Sequence, residues 1–131
     1  MQTSDSYMDD LLLYFHGKPF EFSLYRQLVR RMDESLPGMS ARVQKSQISF
    51  YNRHLFAAAS LPVRRKKDWP AACLLVTFGL EAKLDSPRIA VAVQPYPNRW
   101  THHVVLSDES QIDDELLSWL QQAYDFSQSK R

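Results

Sequence analysis

Apolar residues recur along this chain with two periods, and the switches between them divide it into three parts. Over residues 6–36 the period is helical. Met8, Leu11, Leu12 and Phe15 stand at i, i+3, i+4 and i+7, with Ser6 and Asp9 placed to cap the start and Gly17 and Pro19 placed to end it. Tyr25, Leu28, Val29, Met32 and Leu36 form a second stripe that stops at Pro37-Gly38, and Arg26, Arg30 and Arg31 lie off it. Over residues 42–106 the period falls to two. "VQKSQISF" alternates Ser46, Ile48 and Phe50 against Lys45, Gln47 and Ser49. "YNRH" reads as a tight reversal with Asn52 at the positive φ that a hairpin turn demands. "LFAAASLPV", "AACLLVTFGL", "RIAVAVQPYP" and "WTHHVVLS" follow as strands, and the third of these alternates Ile89, Val91 and Val93 against Ala90, Ala92 and Gln94. Over residues 110–126 the helical period returns. Ser110 precedes the stripe Ile112, Leu116, Trp119, Leu120 and Ala123, and Asp113, Asp114 and Glu115 sit in the first turn, where the helix dipole favours negative charge. Lys130 and Arg131 follow the other end.

These periods predict an α+β fold in the order ααβββββα: a five-stranded antiparallel meander sheet packed against helices on one face. The length of 131 residues suits one domain, 1–131, with two N-terminal helices in 6–36, the sheet in 42–106 and a C-terminal helix in 110–126.

Composition narrows the class. Sixteen basic and fifteen acidic residues nearly cancel, so bulk charge attracts neither nucleic acid nor membrane, and any attraction has to come from local clustering. Cys73 is the only cysteine and lies in an apolar run. An intrachain disulfide and a cysteine-rich metal site are therefore excluded, and a buried, inert thiol in a reducing compartment is expected. The polar, acidic start lacks the basic region of a secretory signal. The runs "LLLYF" and "AACLLVTFGL" fall short of the ~20 apolar residues of a membrane helix. The expectation is a soluble cytoplasmic protein without membrane association and without a cofactor.

Candidate chemistry concentrates in "PYPNRWTHHVVLS", residues 95–107. Pro95 and Pro97 cannot donate to a ladder, so the fourth strand should end there. Asn98 and Arg99 should make the turn, and Trp100 should close the sheet edge. His102 and His103 are neighbours on a strand and point to opposite faces, so they cannot grip one ion, and His16 and His54 add no ligand spacing. A corner does not require Arg99 or His103. Projecting toward the polar row of Lys45 and Gln47, they would make a cationic pocket for an anion. The candidate ligand-binding residues are thus Lys45, Gln47, Arg99, His102 and His103. A second candidate is the run Arg64, Arg65, Lys66 and Lys67 beside Trp69, a combination suited to phosphate contact and base stacking. Arg42, Lys45, Arg53, Arg88 and Arg99, near strand ends, would extend it into a basic rim. Each candidate has a plainer reading: a hydrogen-bonded core histidine, a solvated sheet face, or a charged loop that guards the sheet against aggregation.

Other chemistry finds no footing. Gly17, Gly38 and Gly79 are isolated, so no phosphate loop forms. No serine stands in a nucleophile elbow. The carboxylates from Asp108 to Glu115 are explained by helix capping. No catalytic residue and no metal ligand is assigned.

The strings "FHGKPFEFSLYRQL", "QKSQISFYNRHLFA", "TFGL", "DSPRIAVAVQPYPNRWTHHV" and "IDDELLSWLQQAYDFSQSKR" make the chain similar to domain-of-unknown-function family 5655 over nearly its whole length. The likeness is strongest from Lys45 to Phe56 and from Pro95 to Lys130. The resemblance implies a small bacterial domain with no established activity or cofactor, occurring alone or as an appendage, sometimes beside restriction-type nuclease modules. The resulting expectation is a non-enzymatic binding module for an anionic or protein partner. The alternatives are a hydrolytic enzyme using Lys45, Arg99 and His102 or His103, and a nucleic-acid accessory domain using the basic loop.

Overall fold

Leu116, Leu120 and Ala123 of the last helix are buried against Ile48, Phe50, Val76, Phe78 and Val104 of the sheet, and the rest of the chain is arranged around that contact. In the computed structural model, which describes residues 1–129, the helices are α1 (Tyr7–Tyr14), α2 (Pro19–Ser35) and α3 (Asp114–Gln128). A 3-10 turn covers Glu109–Gln111. The strands are β1 (Ser40–Val43), β2 (Ile48–Asn52), β3 (His54–Ser60), β4 (Leu74–Leu80), β5 (Ile89–Tyr96) and β6 (Arg99–Leu106). Lys130 and Arg131, expected beyond the last helix, lie outside the described residues.

The sheet has six antiparallel strands, not five, in the order β1-β2-β3-β4-β6-β5. "VQKSQISF" is no single strand. It closes β1 at Val43, turns through residues 44–47 with the Gln44 N–H donating to the Gln47 carbonyl at 2.8 Å, and opens β2 at Ile48. Alternation survived the turn by coincidence of parity, which is why period alone joined the two.

The meander is also corrected. β6 lies between β4 and β5. Its Val104 and Leu106 are fully covered by the helices, whereas β5 carries Pro95 and has no buried residue. A proline's missing N–H costs least on an edge, so the edge position falls to β5, and the strand runs through Pro95 to Tyr96 over a register shift instead of ending there. Pro97 and Asn98 make the hairpin turn, Asn98 at φ 63°, and Arg99 already pairs with Tyr96. A second shift between Ile89 and Val91 puts Ile89 level with Val104 on the helix side and Val91 level with His103 on the other. The simple alternation predicted for this strand is broken there.

The helices begin and end for local reasons. Gly17 at φ 71° turns the chain out of α1, and Pro19 fills the first position of α2, where its missing N–H would have had no partner. The α1 stripe is thinner than expected: Leu11 and Phe15 are buried, but Met8 and Leu12 face outward. Ser6 caps no backbone group and donates to Asp10. α3 is capped by Asp113, which accepts from the Leu116 N–H at 3.0 Å. Ser110 sits in the preceding 3-10 turn, which Asp108 and Gln111 close as a reciprocal capping pair. At the β2–β3 reversal Arg53, not Asn52, takes the positive φ of 61°. The Asn52 amide instead donates to the Pro37 carbonyl and the Tyr124 hydroxyl, tying the turn to the end of α2 and to α3. No helix among the described residues is long and apolar enough to cross a membrane.

Candidate functional site

The helices cover one face of the sheet, and strand register sets what the other face presents. Arg42, Ser49, Ala58, Thr77, His103 and Val91 are level with one another across all six strands; Ser49 and Ala58 are buried, and Thr77, His103 and Val91 are half-buried. Next to this row, Gly79, Thr101 and Val93 make a second. Side chains two apart on a strand share a face, so Arg99, Thr101 and His103 of β6 all point to the open side.

Arg99 is the unusual member. A β-carbon built on Gly79 would stand 2.5 Å from the Arg99 guanidinium carbon. The guanidinium therefore lies flat on the β4 backbone in a space that only glycine leaves, which gives a reason for the glycine in "TFGL". Arg99 is half-buried and has neither an ion pair nor a hydrogen bond among the described residues. Glu81 follows β4 just beyond Gly79, yet the guanidinium turns inward over the glycine and does not reach it. Its nitrogens are not sealed from solvent, so the guanidinium keeps its donors free for an incoming anion.

His103 adds a hydrogen-bonding group more than a charge. Its Nδ1 lies 2.8 Å from the Thr77 hydroxyl. Burial first, and the nearby Lys66 ammonium second, push its pKa below the ordinary histidine range. The imidazole is thus neutral near pH 7, and Arg99 and Lys66 supply the positive charge. His102 is spent on the fold. It is fully buried on the helix side, stacked on Phe78, and its Nε2 accepts from the Leu84 N–H at 3.0 Å. Accepting there fixes the neutral tautomer with hydrogen on Nδ1. Burial is the main cause lowering its pKa, partly offset by the Phe78 and Trp100 backbone.

Lys45 and Gln47 are not brought to this place. Both lie in the β1–β2 turn, at the end of the sheet toward which β6 ends, whereas Arg99 opens β6 at the other end. Three strand spacings and at least five residues of rise separate them, roughly 20 Å or more. The pocket expected from all four residues therefore does not form, nor does the reach between Lys45 and a histidine on which the hydrolytic alternative rested. Gln47 donates to Ser49 at 2.8 Å, and Ser49 to Gln44, which closes the turn.

The basic loop is divided. Lys66 faces His103 and lies over the Trp69 ring, 5.9 Å from its centroid. Arg65 turns toward Cys73. The single basic rim also loses Arg88, whose guanidinium donates to Asp113, Glu115 and the Gln111 carbonyl at 2.7–3.0 Å. Arg42 lies over the Tyr51 ring at 4.6 Å. Between Lys66 and Trp69 on one side and Arg88 and Val105 on the other runs an open groove of about 760 Å³.

The sequence reading missed how charge is partitioned. Of fifteen carboxylates, only Asp68, Glu81 and Asp85 fall in residues 40–106, against ten of the sixteen lysines and arginines. No strand contains an acidic residue. The near-zero net charge conceals a positive sheet and a negative helical layer, and a count by segment would have shown it. No group of histidine, cysteine and carboxylate side chains able to hold a metal ion forms among the described residues.

No curated protein and no solved structure matches the chain. The profile of one family, described as Domain of unknown function (DUF5655), matches residues 13–127. With that span covered, the chain belongs to the DUF5655 family.

Proposed function

We propose that this domain is a non-enzymatic, cytoplasmic binding module whose open sheet face takes an anionic partner. Arg99 supplies the principal charge, with Thr101 and His103 on the same face of β6, and Lys66 stands farther along the strand, near His103. The observation that carries the reading is the Arg99 guanidinium laid over Gly79 with no acceptor among the described residues. The surrounding strands lack carboxylates, so an anion approaching this face meets no opposing charge from the sheet itself.

The test is isothermal titration with inorganic phosphate, nucleotides and a short single-stranded DNA. Wild type should bind at least one of these, and Arg99→Ala should weaken it about tenfold or more, since one charged hydrogen bond is worth roughly 1.5–3 kcal/mol. His103→Ala should cost less. Identical titrations for all three proteins would refute the assignment.

The groove beside Lys66 and Trp69, which Asp68 also lines, lies toward the other end of β6 from Arg99, and a nucleic acid is the anion long enough to reach both, with its backbone on the two cations and a base on the half-buried indole. Under that reading the short DNA binds more tightly than phosphate, and its affinity falls with salt and with neutralisation of Arg64 to Lys67.

A further inference from the structure

A second cavity, of about 380 Å³, lies between the start of α2 and residues 61–73. Glu21 lines it. Glu21 is only 5% exposed and has no hydrogen bond or ion pair among the described residues. Its carboxylate oxygens are not sealed off from solvent, so the cavity that Glu21 lines gives an incoming hydrogen-bond donor access to them. Leu61 and the Cys73 thiol form the adjacent wall; burial raises the Cys73 pKa above the usual thiol range, so the wall carries no charge at neutral pH. At the mouth stand Lys18 and Arg65, both exposed and both without an ion pair among the described residues.

Charge thus changes sign with depth: negative inside, positive at the rim. A simple cation would be repelled at the mouth, and a simple anion would be repelled by Glu21. A molecule carrying both charges a few bonds apart meets its complement at each level. We infer that this cavity is a binding site for a small zwitterion of amino-acid size, its ammonium group on Glu21 and its carboxylate toward Lys18 and Arg65. The volume is at the small end of ligand cavities, and the apolar wall beside Cys73 leaves room for a modest apolar side chain. This site shares no residue with Arg99, Thr101 and His103 and does not depend on them; only Arg65 is common to it and the basic loop.

The test is titration of the whole chain with each common α-amino acid, with the decarboxylated amine and with the N-acetyl derivative of whichever binds. One or more apolar amino acids should bind, the amine and the acetylated compound should each bind at least about tenfold more weakly, and Glu21→Gln should abolish binding. Glu21→Gln keeps the side-chain shape. Should it nevertheless unfold, Lys18→Ala, at an exposed position, and amide chemical-shift mapping decide the matter. Shifts centred on Lys18, Glu21, Leu61 and Cys73, with weaker binding in Lys18→Ala, support the site. No binding by any amino acid, equal binding of the bare amine, or shifts centred on Arg99 and His103 would each overturn it. The last result would leave the open-face reading untouched.

Discussion

A methyl group added at position 79 measures how closely Arg99 is seated. The new β-carbon would arrive 2.5 Å from the guanidinium, and the obstacle is the tip of a flexible side chain, not backbone. Gly79→Ala should therefore cost little stability, under about 1 kcal/mol by denaturant unfolding, while lowering anion affinity nearly as much as Arg99→Ala. In an Arg99→Ala background the same change should do nothing further to affinity, since both act through one contact. At the same scale, His102 and His103 make stability depend on pH. Each has a folded pKa below its unfolded value of about 6.5, so the unfolded chain binds protons first as pH falls. Their contribution is complete above about pH 6.5 and is lost as pH drops from there toward the depressed folded values. His102→Gln, which keeps an acceptor for the Leu84 N–H, should flatten the stability profile across that window. An unchanged profile would mean that the buried ring does not resist protonation.

Between elements, Arg88 is the clamp. It joins the start of edge strand β5 to the first turn of α3, and Asp113 there both caps α3 and accepts from Arg88. Because Asp113 and Glu115 are about half exposed, the clamp is worth less than a buried pair. Arg88→Ala should lower unfolding free energy by about 1–2 kcal/mol. Asp113→Ala should cost a similar amount, and the double variant less than the sum, since one removed contact is counted in both. The three helices were legible in the sequence because capping residues, proline and glycine punctuated long stripes. The sheet was legible only as a set of strands. Hydrophobic period records which face a residue takes but not which strand lies beside it, so the insertion of β6 next to β4 left no trace in the pattern. The shift at Ile89 reversed parity within one strand, and the turn at residues 44–47 preserved parity across two. Neither leaves a signature in an alternation count.

For the molecule as a whole, the sidedness of charge outweighs its near-zero sum. Carboxylates gather in the helical layer and cations in the sheet and its loops, so association with a polyanion should be orientation-specific and should weaken as salt rises. The candidate site was half legible. Arg99 and His103 stand two strand steps apart on the same face, as their spacing required, and His102 points away for the same reason. Lys45 and Gln47 were misplaced because their assignment rested on reading residues 43–50 as one strand. Glu21 gave no signal at all: in sequence it is an ordinary acidic residue in a first helical turn, and only the fold shows that it is buried without a partner. The most direct measurement compares two single variants against a labelled short single-stranded DNA. Arg99→Ala should weaken binding about tenfold, and Lys45→Ala, removing the same charge at the far corner of the sheet, should leave it within about twofold. Equal losses from the two variants, or a larger loss from Lys45→Ala, would contradict a site built around Arg99 on the open face.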